Sequence, residues 1–135
     1  MSGDDGGLVT DIDTRTARVH LNGDGLVVVR IRDGAHQTIA DARANLAAAL
    51  SATAGQRRPL LVDIRRAQPL DAAVRHQYSG SVLAAGFLAI ALLVESSPLG
   101  RMMGNLYLRV VSAGIPMQLF VDETRAVKWL IAHRR

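Results

Sequence analysis

Three short apolar runs recur along the chain, at residues 59–64, 88–94 and 116–121, and each precedes a segment with helical spacing. Strands buried on both faces appear as continuous apolar runs, because helices must then cover both sides. Upstream, residues 15–22 and 26–32 alternate instead. Val27, Val29 and Ile31 share one face of the second segment, and Val28, Arg30 and Arg32 the other. Gly23-Asp24-Gly25 lies between them, with residue types suited to positive φ, so the pair predicts an antiparallel hairpin. The resulting order is β-β-α-β-α-β-α-β-α. It describes an α/β domain with a mixed, largely parallel five-stranded sheet covered by helices. Ligands of such sheets bind beyond the carboxyl ends of the strands, here residues 64–67, 95–98 and 122–124.

The helical segments carry their own punctuation. Thr38 and Asp41 have the spacing of a capping box, with Asp in place of Glu. From there a helix is predicted to about Thr53, with Ile39, Ala42, Leu46, Ala49 and Leu50 on one face and Gly55 as its stop. A second helix is predicted from Leu70 or Asp71 to about Leu83. Ser97-Pro98 marks the start of a third, since Ser accepts backbone N–H bonds and Pro suits the first helical position. Asp122 caps a fourth, whose apolar stripe is Val127, Leu130 and Ile131, with Trp129 beside it. Polar, glycine-rich residues 1–12 are expected to form a flexible leader, with a single domain over 13–135.

Composition narrows the class. With 135 residues, 49% apolar and 21% charged, the chain can bury a core without metals or disulfides. It has no cysteine, so disulfides, thiolate zinc and thiol nucleophiles are excluded. The longest apolar run, residues 82–94, has 13 residues, fewer than the ~18 of a membrane span. The first residues lack the basic and apolar regions of a secretory signal, which makes a cytoplasmic location the expectation. Charge is uneven: −2 over residues 1–50 and +6 over residues 51–135. A basic half can meet an anion or an acidic partner. The five aromatics do not interleave with the arginines as base-stacking platforms do, so nucleic acid is not an expected partner.

The pattern Ala91-Leu92-Leu93-Val94, Ser97-Pro98, Arg101, Gly104-Asn105, Pro116 to Phe120, Ala126 and Trp129-Leu130 resembles the SpoIIAA-like, or STAS (SEC14-like), domain family. The nearer resemblance is to its small members of unknown role. It covers residues 88–131 by motif and 15–87 by topology. In STAS antagonists of anti-sigma factors, the helix after the third strand opens with Asp-Ser-Ser-Gly and a serine there is phosphorylated. The corresponding residues here are Asp71-Ala72-Ala73-Val74, with no hydroxyl to modify. The resemblance therefore implies a bacterial, non-enzymatic protein-interaction module without the phosphoserine switch, docking a protein partner or a second copy of itself. Its SEC14-like side implies the alternative of a small-ligand carrier. Met102, Met103, Leu106 and Phe87 would line its cavity, and Arg101 would hold an acidic head group.

Candidate residues cluster at the carboxyl edge. Arg65, Arg66, Asp71, Ser97, Arg101 and Asn105 are the expected ligand- or partner-binding set. Ser97 and Arg101 at a helix start could hold an anion, or Ser97 could simply cap while Arg101 pairs with Glu95, Asp122 or a carbonyl. Gly100 and Gly104, with Met103, permit close backbone approach, either onto the parent sheet or across a homodimer interface. Asp63 lies within an apolar strand, where an ion pair with a neighbouring loop is expected to keep it charged. His20, His36, His76 and His133 lack metal-ligand spacing, and no nucleophile elbow or phosphate loop is present. No cofactor, metal site or catalytic residue is assigned.

Overall fold

The computed structural model describes residues 11–78, 80–111 and 114–134. Six strands form one sheet whose spatial order follows chain order. Strand β1 (Asp11–Asp13) pairs antiparallel with β2 (Ala17–Leu21), and β2 pairs antiparallel with β3 (Val27–Ile31). From β3 the ladder turns parallel, through β4 (Arg58–Asp63) and β5 (Phe87–Leu93) to β6 (Met117–Phe120). The sheet thus has one strand more than the alternation predicts. Asp11 and Ile12, expected in the leader, belong to β1. That strand is too short and too exposed to show a period: only Ile12 turns towards the core. Residues 1–10 lie outside the described residues.

Strands laid down in one direction, with right-handed crossovers, put every crossover helix on the same face. Those helices are α1 (Ile39–Ala52), α2 (Ala72–Gln77), α3 (Gly80–Gly86) and α4 (Pro98–Val111). The last helix, α5 (Glu123–Ile131), folds back on the opposite face. Two cores result. Val27, Val29, Leu60, Ile90 and Leu92 meet the crossover helices. Val28, Leu61, Ala91 and Leu93 meet Ala126 and Leu130 of α5. Alternation over residues 60–62 of β4 and 89–93 of β5 feeds both cores, which is why these stretches are apolar at successive positions.

Two helices depart from expectation. The second predicted helix is split into α2 and α3. Tyr78 closes α2 with an N–H bond to Arg75 O of 3.0 Å, and Ser79-Gly80 is poor helix-forming sequence. The capping box at Thr38 is present: its Oγ1 accepts from Asp41 N at 3.2 Å, and its N–H donates to Asp41 Oδ2 at 2.8 Å. The buried face of α1, however, is Asp41, Ala42, Asn45, Ala48, Ala49 and Ala52, while Ile39 is exposed. Small residues let the helix sit close to β2 and β3, and its two buried polar residues are hydrogen-bonded.

Helix α4 meets the sheet through its glycines. A Cβ on Gly100 would lie 2.4 Å from Glu95 O, and one on Gly104 2.3 Å from Leu119 Cδ1. Alanine favours a helix over glycine by about 1 kcal/mol. At Gly104 the obstructing atom is the end of a flexible side chain, whereas at Gly100 it is backbone. Gly100→Ala is therefore expected to destabilise by about 1–3 kcal/mol, and Gly104→Ala by less, with thermal melts as the check. Equal melting temperatures for the two variants would contradict this packing.

Candidate functional site

The carboxyl edge is dominated by four charged side chains on the α5 face. Arg30 of β3 and Asp63 of β4 are register partners, so their side chains share a face. Arg30 Nη1 donates to Asp63 Oδ2 at 2.8 Å, and its Nη1 and Nη2 donate to Glu123 at 3.0 and 2.7 Å. Arg65, in the loop leaving β4, donates to Asp63 at 3.0 and 2.9 Å and to Glu123 Oε1 at 3.2 Å. Two cations and two anions close a neutral ring that ties the start of α5 to the sheet. Burial pushes the Asp63 carboxyl up, but hydrogen bonds from the Arg65 side chain and backbone outweigh it and leave it below its ordinary value. Glu123 is held low chiefly by its hydrogen bonds from Arg30.

A second polar cluster lies on the crossover-helix face. Arg15 pairs with Asp41, whose carboxyl it holds well below the usual range, with help from the Thr38 N–H. Asn45 donates to Thr16 Oγ1 at 2.9 Å and to Gln37 Oε1 at 3.2 Å, and accepts from Thr14. The Tyr78 hydroxyl also donates to Gln37, and burial pushes its pKa up to about 12. Next to this cluster is a cavity of about 50 Å³ between sheet and helices. Asn45 and Tyr78 lie at its wall, beside Val29, Leu60, Leu92 and Met117, and its exposed lining is wholly apolar.

The sequence-predicted residues are distributed differently from the expected cluster. Arg65 is spent on Asp63 and Glu123. Arg66 is exposed and only 3.9 Å from Asp33 at closest. Asp71 precedes α2 and makes no side-chain cap bond. Ser97 Oγ accepts from Gly100 N at 3.0 Å, so it caps α4. Arg101 and Asn105 are exposed, and Arg101 has no ion pair among the described residues, with neither Glu95 nor Asp122. A recess of about 90 Å³ at this edge includes Arg65, Glu95 and Ser97 but not Arg101. The residues expected at an interface, Gly100, Met103 and Gly104, are turned onto the sheet; Leu99 and Met102 are instead the exposed large apolar residues of α4 among those described. None of Met102, Met103, Leu106 and Phe87 lines the apolar cavity, and Phe87 is fully buried core.

Sequence reasoning missed Glu123 and Arg30 as partners of Asp63. The place of Arg30 in the alternating segment 26–32 was visible, but partnership depends on strand register and on which face α5 covers. Among the described residues, no group of three metal-ligating side chains is assembled, and no helix is long and apolar enough to cross a membrane.

A family model described as a domain of unknown function (DUF7793) matches residues 19–134. Among solved structures, the chain is similar to an uncharacterised protein of the DUF3478 family from Shewanella loihica PV-4, which has a SpoIIAA-like fold. The two are 16% identical, with a TM-score of 0.55 over 92% of this chain and 99% of that one. A protein of unknown function from Arthrobacter sp. FB24 is 28% identical over 88% of this chain and 95% of that one, with a TM-score of 0.35. At that score the second likeness says nothing about fold. No curated protein matches. The first likeness and the sheet order together give this chain a SpoIIAA-like α/β fold.

A carboxylate whose folded pKa lies below its unfolded value stabilises the fold above the unfolded pKa, and that contribution is lost as pH falls through the folded one. Asp63, Glu123 and Asp41 are all of this kind. The melting temperature is expected to fall as pH drops from about 5 towards 2. Asp63→Asn is expected to cost about 1–3 kcal/mol at neutral pH, since it leaves two partly buried guanidinia without their shared anion, and to flatten the acid limb. Melts of both proteins across this range test it; an unchanged acid limb in the variant would remove the ring as a source of the pH dependence.

Proposed function

For a chain that belongs to the DUF7793 family and has a SpoIIAA-like fold, we propose the role of a non-enzymatic, STAS-like protein-interaction module. Its docking face is built from α2 and α4, which pack beside one another on the crossover side of the sheet. The observation that carries this reading is the outer surface of α4, where Leu99 and Met102 are 54% and 53% exposed around Arg101, which has no ion pair among the described residues. Exposed apolar side chains beside a guanidinium are the ingredients of an interaction hot spot. Arg66 and the exposed residues Asp71, Ala72 and Ala73 extend the face towards the start of α2. Alanine at residues 72 and 73 leaves no hydroxyl for phosphorylation there, so binding is constitutive or controlled elsewhere. The partner is a protein surface carrying carboxylates around an apolar centre, or a second copy of this chain.

Charge reversal tests this face without touching the core. Arg66→Glu combined with Arg101→Glu is expected to weaken partner capture, or self-association measured by light scattering, by about tenfold or more, with the melting temperature unchanged. Unchanged association in the double variant would sink the α2–α4 face.

A small-ligand carrier is the second reading, favoured by the apolar cavity beside Asn45 and Tyr78. A small apolar group would fill the space under α1 and α3, held by apolar contact alone, since the exposed lining carries no polar surface. Native mass spectrometry of freshly purified protein is expected to show retained ligand mass. A clean apo mass, without stabilisation by fatty acids, would reject the carrier.

A further inference from the structure

The positive charge neutralised at the carboxyl edge is free at the other end of the sheet. Around the amino edge, the β2–β3 turn, the start of β4 and the end of α5 surround an open recess of about 360 Å³. Arg57, Arg58 and Arg134 line it. Each is positioned by backbone carbonyls. Arg57 Nη2 donates to Ala84 O and Phe87 O, both at 2.8 Å. Arg58 Nε donates to Thr53 O at 2.8 Å, and Arg134 Nη1 to Asp24 O at 2.8 Å. No carboxylate pairs with any of the three among the described residues. Asp24 is the sole acid among the described residues of the lining, which together carry a net charge of +2. Gly25 sits at φ +81°, and a Cβ there would lie 3.4 Å from Arg58 Nη1, so this guanidinium rests against the turn.

We propose that this recess binds a small multivalent anion of the diphosphate class, either pyrophosphate or the diphosphate end of a small molecule. Planar guanidinium forks match phosphate oxygens, and convergent like charges held in a concavity raise the local concentration of anions. Two excess charges call for more than one anionic oxygen group, and the volume falls in the range of small-molecule sites. Arg57 and Arg58 also cap carbonyls at the ends of α3 and α1, but a cap consumes one or two N–H groups and leaves the charge in place. Arg134 caps no helix end; it crosses to the hairpin turn and closes the recess. Among the described residues no aromatic side chain lines the site, which disfavours stacking of single-stranded nucleic acid. The site lies at the edge opposite Arg65 and Ser97 and is independent of the α2–α4 docking face.

Isothermal titration calorimetry of the full chain at low salt tests the site, with pyrophosphate, orthophosphate and chloride as the probes. Saturable pyrophosphate binding is expected, weaker for orthophosphate and absent for chloride, with affinity lowered about tenfold or more in Arg134→Gln. Arg134 is exposed and lies beyond α5, so this variant keeps the fold; circular dichroism verifies that. Arg57→Gln is expected to act in the same direction, and Arg125→Gln, on the exposed side of α5, to bind like the unmodified chain. Absence of saturable binding, or full affinity in Arg134→Gln, overturns the proposal. Arginine-dependent binding of short single-stranded DNA or phosphatidylglycerol vesicles that pyrophosphate does not displace also overturns it, in favour of a polymeric or membrane polyanion.

Discussion

Burial of β4 and β5 on both faces is the constraint from which the rest of the molecule follows. Leu60, Ile90 and Leu92 point to one side, and Leu61, Ala91 and Leu93 to the other. Apolar area on either face is stabilised only when covered, at roughly 25 cal/mol per Å². Three right-handed crossovers cover the first face with α1 to α4. That leaves the second face to the final helix, α5, which must therefore be anchored at a fixed position. The amphipathic stripe of Ala126 and Leu130 supplies the apolar part of that anchor. The ring of Arg30, Asp63, Arg65 and Glu123 supplies the polar part at its first turn.

That anchor changes what the carboxyl edge can do. In doubly covered α/β sheets this edge is the customary ligand site. Here two of its arginines are neutralised by two carboxylates, and the cap at Ser97 is occupied by Gly100 N–H. Arg101, which has no ion pair among the described residues, is exposed beside Leu99 and Met102. Chemistry at this end thus passes from the sheet edge to the outer surface of α4, a surface suited to another protein. The amino edge has the opposite character: its arginines are held by carbonyls, which orient guanidinia without cancelling their charge.

Much of the fold was legible in the sequence because local rules govern it. Alternation gave the hairpin at residues 15–32, apolar runs gave the parallel strands, and Thr38, Ser97 and Asp122 marked three helix starts that the structure retains. Strand β1 was not legible, since three residues with one half-buried side chain carry no period. The orientation of α1 was legible only in part. Of its predicted face, Ala42 and Ala49 are buried and Leu46 and Leu50 pack partly buried against the core, but Ile39 is exposed, because close packing on β2 and β3 also draws in Asp41, Asn45, Ala48 and Ala52.

What the chain determined by itself is the element types, their order and the presence of a covered, largely parallel sheet, because hydrophobic period and capping chemistry act over a few residues. Tertiary structure alone decided which charges meet. Arg30 and Glu123 are 93 residues apart, and Arg134 and Asp24 are 110 apart. Such partnerships depend on strand register, crossover handedness and the face that each helix covers. Only after those are set does one end of the sheet become neutral and the other positive.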